Sequence, residues 1–435
     1  MLSRSSIALF LSIVCAAGMA YYHLALFIPG AIEQRNAQGL GNGFSFGADF
    51  YPLWSATREA WLYHRDPYSP QTTKKIQIGL FGRALDARHS GPTDDRAFAN
   101  PAFAILLFWP MTLLPFSVIR IALLVILLVM TIFSIELWLR ALRLRAGPTI
   151  FSSVLLLTLS SYPVLEGLYA EQMGLLVGFL LAASLAALIA QKCFLSGSLL
   201  ALTLLKPQMM ALVAVYLLLW SFAEWRSRRQ FAYGFFLTSG ALVTSSLLVW
   251  PQWIPAWLRL LENYRQHSTP PLAQYVLGDS VGFRAGPILI GALLVSGIAV
   301  AWRMRQVSPA SKDFGLTASL MLAITSITLL PGHAIYDHIL LLPGILLIAF
   351  RWRVFQKSSL PTRIVLGITT LAVFWQWMFA PIVIALRPVV SRELFDKTLL
   401  TLPIRTAASI PFGVCALLAF LLTSIMLKPA HDNGN

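Results

Sequence analysis

Residues 116–139 read FSVIRIALLVILLVMTIFSIELWL, with no charge between Arg120 and Glu136. Coiled as an α-helix, the stretch would be about 36 Å long. That exceeds the roughly 30 Å hydrocarbon core of a bilayer. Comparable apolar segments recur near 6–28, 149–165, 172–190, 231–250, 286–303, 314–331, 335–350, 364–386 and 406–427. Two shorter pieces, 194–205 and 208–223, flank Lys206-Pro207. Proline removes a backbone donor and breaks a helix, so this dipeptide marks two helices meeting at a turn near the membrane surface. The pattern predicts an all-α polytopic membrane protein of about twelve spans, with residues 1–435 forming one transmembrane domain.

Composition agrees. Of the 435 residues, 57% are hydrophobic and 12% charged, and the mean hydropathy is +0.71. Soluble domains carry about 25% charged residues, so a soluble enzyme, a disulfide scaffold and a disordered chain are excluded. The net charge of +15 arises from 33 Lys and Arg against 18 Asp and Glu. Without a soluble basic domain this does not point to nucleic acid. It points to topology and anionic lipid, or to a cavity for phosphates. Cys15, Cys193 and Cys415 lie in or beside apolar segments without metal-type spacing, so neither a disulfide framework nor a zinc site is expected.

Basic residues set the orientation. Arg140/Arg143/Arg145, Arg226/Arg228/Arg229, Arg303/Arg305 and Arg351/Arg353 occupy short linkers that fall on one side of the membrane. The positive-inside rule makes that side cytoplasmic, together with both termini, Lys428 and the tail 428–435. The N-terminal run through Phe27 is too long for a signal peptide and reads as an uncleaved first span. The long connections 29–101, 251–285 and 387–405 then face outward. Residues 102–115, AFAILLFWPMTLLP, are too short to span comfortably and read as a re-entrant or surface-lying element.

The candidate chemistry gathers in the external loops. In FSFGADFYPLWSATREAWLYHRDPYSP (44–70), Phe50, Leu53, Trp54, Thr57 and Trp61 recur at helical spacing, with Arg58 and His64 off the stripe. This predicts an amphipathic helix in the membrane interface. Asp49 stands at its start. It reads either as an N-cap or as a general base, which needs a carboxylate within reach of an acceptor hydroxyl. In LLPGHAIYDHILLLP (329–343), His333, Tyr336, Asp337 and His338 form either a solvated polar turn or a set that meets a phosphate or sugar; as a metal site the turn is weak. Lys206 either snorkels to the interface or counters a lipid phosphate, and Glu171 is a candidate partner for it. Trp250, Trp253 and Trp257 suggest an interfacial anchor, whereas His267, Asp279 and Arg284 carry no motif. No phosphate-binding loop or dinucleotide fingerprint occurs.

Four stretches together resemble glycosyltransferase family 87, in the GT-C class of membrane glycosyltransferases. They are DFYPLWSATREAWLYHRDPYSP (49–70), NPAFAILLFWPMTLLP (100–115), the segment from Glu171-Gln172 through Lys206-Pro207 to Met210, and YDHILLLP (336–343). The resemblance implies a GT-C-like bundle and a polyprenyl-phosphate sugar donor, typically mannose. It also implies a lipid-linked or envelope glycan acceptor and inversion at the anomeric carbon. It implies Asp49 as catalytic base. His338 matches the late histidine associated with the donor phosphate, Lys206 and Gln172 match the family's Lys-Pro turn and glutamine, and these three with Arg58 and Asp337 are the candidate donor-phosphate and substrate ligands. Glu171 stands where the family usually has glycine. No cofactor is implied, and a divalent metal is left open. The expected partners are the donor, the acceptor and membrane lipids, and the expected location is the inner (plasma) membrane with the site facing outward. The rival is a transporter or flippase of lipid-linked saccharide, which often shows inverted repeats; none is visible here.

Overall fold

A computed structural model describes residues 4–37, 46–85, 96–267, 269–278 and 284–426. The tail 428–435 with Lys428, and Asp279, lie outside the described residues. The chain is an all-α polytopic membrane protein with no strand among the described residues, only an isolated bridge between Pro271 and Pro331.

α1 (Arg4–Tyr21) runs through a π-helix, Tyr22–Phe27, into α2 (Ile28–Ala37). The long connection 29–101 holds α3 (Tyr51–Tyr63) and α4 (Pro70–Phe81), and the short α5 (Phe103–Phe108) follows it, ending in a 3-10 turn at Trp109–Leu113. α6 (Phe116–Ala141) forms the apolar stretch 116–139. α7 (Pro148–Leu159), α8 (Tyr162–Tyr169), α9 (Met173–Ile189), α10 (Cys193–Leu202), α11 (Pro207–Ala223) and α12 (Trp225–Val249) follow. The connection 251–285 holds α13 (Trp253–His267) and α14 (Leu272–Gly278). The chain closes with α15 (Ala285–Arg303), α16 (Lys312–Thr328), a 3-10 turn Ile335–Leu341 leading into α17 (Leu342–Phe350), α18 (Trp352–Gln356), α19 (Leu360–Leu386), α20 (Arg392–Leu394) and α21 (Ile410–Met426).

Among the described residues, six helical stretches are long and apolar enough to cross a membrane: Ser5–Gln34, Phe116–Ala141, Trp225–Val249, Ala285–Arg303, Leu360–Leu386 and Arg392–Met426. The expected span at 149–165 is broken: α7 and α8 bend by 55° at Ser160-Ser161. The remaining apolar segments, such as α9, α10 and α11, are shorter helices packed inside the bundle. α10 and α12 cross at Gly197 and Gly234. A Cβ at Gly197 would lie 2.7 Å from the Phe235 backbone nitrogen, so only glycine permits the approach.

The bundle has two distinct ends. At one, the Arg228 guanidinium donates to the Trp220 and Arg305 carbonyls at 2.9 Å each, and Trp220 Nε1 donates to the Val307 carbonyl at 3.0 Å. The basic linkers after α11 and α15 therefore meet there. α9 and α11 run from the opposite end, where the long connections gather, and α16 runs from the basic end back toward it.

α3 is covered by the chain on more than its apolar stripe. Phe50, Leu53, Trp54 and Thr57 are buried as the stripe demands, but so are Ser55, Ala56, Glu59 and Ala60. The α5 element and its 3-10 turn cover one side, with Trp61 stacked on Trp109 at 5.0 Å, while α4 covers another. Glu59 tolerates burial because Arg65 and Lys75 both bond its carboxylate, at 2.5 and 2.9 Å.

Candidate active site

A cavity of about 900 Å³ opens at the end of the bundle where the long connections gather. Asp49 lies in its wall. Its position is set by backbone: Gly47 N–H donates to the Tyr169 carbonyl at 2.9 Å and Asp49 N–H to the Ala170 carbonyl at 3.1 Å. This docks the Asp49 turn onto the loop between α8 and α9. Gly47 makes the turn at φ +77°, in the left-handed region where glycine is free of Cβ strain.

The N-cap reading of Asp49 is overturned. The residue preceding α3 is Phe50, in helical conformation with no side-chain cap. The Asp49 carboxylate turns instead to the cavity, where Arg96 Nη1 donates to one oxygen and Gln172 Nε2 to the other. Gln172 Oε1 accepts in turn from Lys206 Nζ at 3.2 Å. Lys206 bridges both Asp337 oxygens, at 2.8 and 3.0 Å, and its ammonium stands 5.3 Å from the centre of the Tyr336 ring. One hydrogen-bonded chain thus runs Arg96, Asp49, Gln172, Lys206, Asp337. Cations and carboxylates alternate along it, with the glutamine amide bridging the middle.

Lys206 owes its position to the helix break. A 3-10 turn, Thr203–Leu205, ends α10, and Lys206 takes extended dihedrals ahead of Pro207 at the first turn of α11. The ammonium is therefore carried at the cavity mouth. The candidate pairing of Lys206 with Glu171 is not formed: Lys206 takes Asp337, and Glu171 lies fully buried with neither oxygen hydrogen-bonded among the described residues. Glu171 adopts φ +55°, which turns its side chain toward Gly47 and away from the Lys-Pro turn. Burial pushes its carboxyl up to about 8, with Arg120 nearby opposing the shift.

Of the candidate residues, Asp49, Gln172, Lys206 and Asp337 come together on the cavity, and His333 and Tyr336 also line it. Arg58 and His338 do not. The Arg58 guanidinium lies over the Trp54 ring at 5.3 Å. His338 follows Asp337 in a 3-10 turn, whose three residues per turn carry successive side chains a third of a revolution apart. With Asp337 aimed at the cavity, His338 is buried off it, its Nδ1 without a partner among the described residues.

Arg96 escaped the sequence reading. Its only signal was an arginine closing a polar loop just before Asn100-Pro101, and no spacing links it to Asp49. Trp257, read as an interfacial anchor, donates from Nε1 to the Ala99 carbonyl at 2.8 Å and lines the cavity. α13 therefore roofs the segment that delivers Arg96. Among the described residues, no group of three or more His, Cys, Asp or Glu side chains is placed to hold a metal ion.

Comparison with known proteins gives one match: the family model described as glycosyltransferase family 87 aligns with residues 98–331, more than half of the chain. Gln172 and Lys206 fall inside the matched segment, and Asp49, Arg96 and Asp337 outside it. No curated protein and no solved structure matches.

Proposed function

As the chain belongs to glycosyltransferase family 87 and is a membrane glycosyltransferase, we propose that it moves a hexose, mannose in the first instance, from a polyprenyl-phosphate donor to a lipid-linked or envelope glycan. The transfer takes place at the outer face of the inner (plasma) membrane. The observation that carries this reading is the Asp49 carboxylate on the cavity wall, bonded by Arg96 and joined through Gln172 to Lys206.

The donor's prenyl chain needs an apolar surface and its phosphate needs cations. Arg96 and Lys206 supply the second, and the apolar helices beside the cavity supply the first. An acceptor hydroxyl oxygen attacks the anomeric carbon while the carbon–oxygen bond to phosphate breaks. The hydroxyl proton passes to the Asp49 carboxylate, and polyprenyl phosphate leaves with the bonding pair. Attack opposite the leaving group inverts the anomeric centre. Cations held against the departing phosphate stabilise charge where it develops, and a positioned base contributes about 10²–10⁴-fold.

The test uses the purified chain in liposomes with radiolabelled polyprenyl-phosphate mannose and a lipid extract as acceptor source. Asp49→Asn should lower transfer by about 10²–10⁴-fold while the protein inserts and melts like wild type. Near-normal transfer by that variant would remove Asp49 from the mechanism. Movement of intact donor across the bilayer without transfer would favour the transporter reading.

A further inference from the structure

The wall of the cavity beyond Asp49 carries a second polar cluster that the transfer step does not use. α8 presents Tyr162, Glu166 and Tyr169 at i, i+4 and i+7, one face of a helix, and all three line the cavity with Phe27. Behind them, within the first span, lies His23, 1% exposed. Its ring stacks on Phe27 at 5.4 Å and meets Tyr162 and Tyr169 edge-on at 6.0 and 6.2 Å. Neither ring nitrogen has a hydrogen-bond partner among the described residues, and Nε2 stands 4.0 Å from Glu166 Oε2.

Helix packing does not account for this histidine. A phenylalanine would fill the same aromatic nest without burying two polar nitrogens, a cost that ordinarily has to be offset by a partner. Ionisable side chains inside membrane spans mark function by default. The backbone is also specialised: residues Tyr22–Phe27 form a π-helix, and Tyr22, His23 and Leu26 are its buried side chains. Such insertions concentrate at functional sites.

Resting on the transfer reading above, we propose that the α8 wall is the subsite for a hexopyranose ring of the acceptor. Glu166 accepts from the sugar's hydroxyls, Tyr162 and Tyr169 pack against its C–H face, and His23 is a positioning residue behind Glu166. A pyranose offers just that pairing of an apolar face with a rim of hydroxyl donors. A phosphate does not suit this wall, because a carboxylate repels it; the anion belongs with Arg96 and Lys206. The spacing suits one sugar unit. Asp49 N–H is held by the Ala170 carbonyl, and Ala170 lies four residues, about 6 Å along the helix, beyond Glu166. A ring seated on α8 with one hydroxyl on Glu166 therefore offers another to Asp49.

The test is a binding measurement on the full chain in phospholipid nanodiscs, without turnover. The probes are octyl α-mannoside, octyl α-glucoside and octyl β-galactoside, followed by saturation-transfer NMR. At least one should bind. Glu166→Gln and Tyr169→Leu should each weaken it tenfold or more, and His23→Phe should weaken it several-fold. His23→Gln, which keeps a polar nitrogen facing Glu166, should restore most of the affinity, as a purely structural histidine would not require. Binding of radiolabelled polyprenyl-phosphate mannose should stay within twofold in all four variants, which also reports that they fold. The proposal is overturned if no octyl glycoside binds wild type, if Glu166→Gln and Tyr169→Leu bind as wild type does, or if donor affinity falls in parallel. Because the readout needs no catalysis, its failure is distinct from failure of the transfer reading, which Asp49→Asn tests.

Discussion

Glu171 combines two costs at a single position. Its left-handed backbone is disfavoured by about 1–2 kcal/mol for a residue with a Cβ, and its carboxyl is buried without a hydrogen bond among the described residues. The first explains why glycine suits the position. The second gives a pH dependence. Burial raises the carboxyl from 4.5 to about 8 in the folded chain. Below pH 4.5 the proton is bound in both folded and unfolded states and nothing is lost. As pH rises toward 8, the unfolded chain releases the proton first, so stability falls by up to about 1.4 kcal/mol per pH unit. Thermal melts of wild type and Glu171→Gln should therefore coincide near pH 4.5 and separate by pH 8, with the variant higher. A constant offset would mean that Glu171 does not titrate in this window. At this scale the sequence was only partly legible. Asp49 and Lys206 were visible because each sits beside a helix boundary that composition announces. The Lys206–Asp337 pair joins positions 131 residues apart, and neither that distance nor the side-chain direction imposed by φ at Glu171 is written in local spacing.

Helices were legible where their apolar runs end in proline or basic residues. Lys206-Pro207 separates α10 from α11 as a proline break requires, and α6 covers the stretch that composition marked. The apolar stripe of α3 was legible, but the cover that α4 and α5 lay over its other faces was not, because periodicity does not place those elements. The α10–α12 crossing was illegible for a related reason: Gly197 and Gly234 lie far apart in sequence, and only their mutual approach gives them a role. Gly197→Leu should destabilise the protein by about 1–3 kcal/mol or more, as overpacking does, and lower its melting temperature in detergent. In the same helix as Gly234, a Cβ at Gly240 would meet nothing within 4 Å. Gly240→Ala should therefore stabilise by about 0.5–1 kcal/mol through helix propensity. If the two substitutions behaved alike, the close approach would carry no energetic weight.

The whole molecule divides its charge between two ends, with basic linkers at one and the cavity at the other. By the positive-inside rule we propose that the linkers are cytoplasmic. In a background lacking Cys15, Cys193 and Cys415, a membrane-impermeant maleimide should label Gln252→Cys in intact cells and Ser308→Cys only after permeabilisation; both positions are exposed. The reverse pattern would place the cavity inside. The alternation of cations and carboxylates along the cavity wall also bears on kinetics. While Arg96 holds Asp49, its guanidinium competes with any hydroxyl proton for the same carboxylate. On the proposed transfer mechanism an arriving donor phosphate would draw Arg96 away, and Asp49 would become an effective base once the donor is seated. The enzyme is then expected to follow a compulsory order, donor before acceptor. Released polyprenyl phosphate would inhibit competitively against donor and non-competitively against acceptor. In this view Arg96 works as an interlock that keeps proton removal from starting before there is a sugar to transfer.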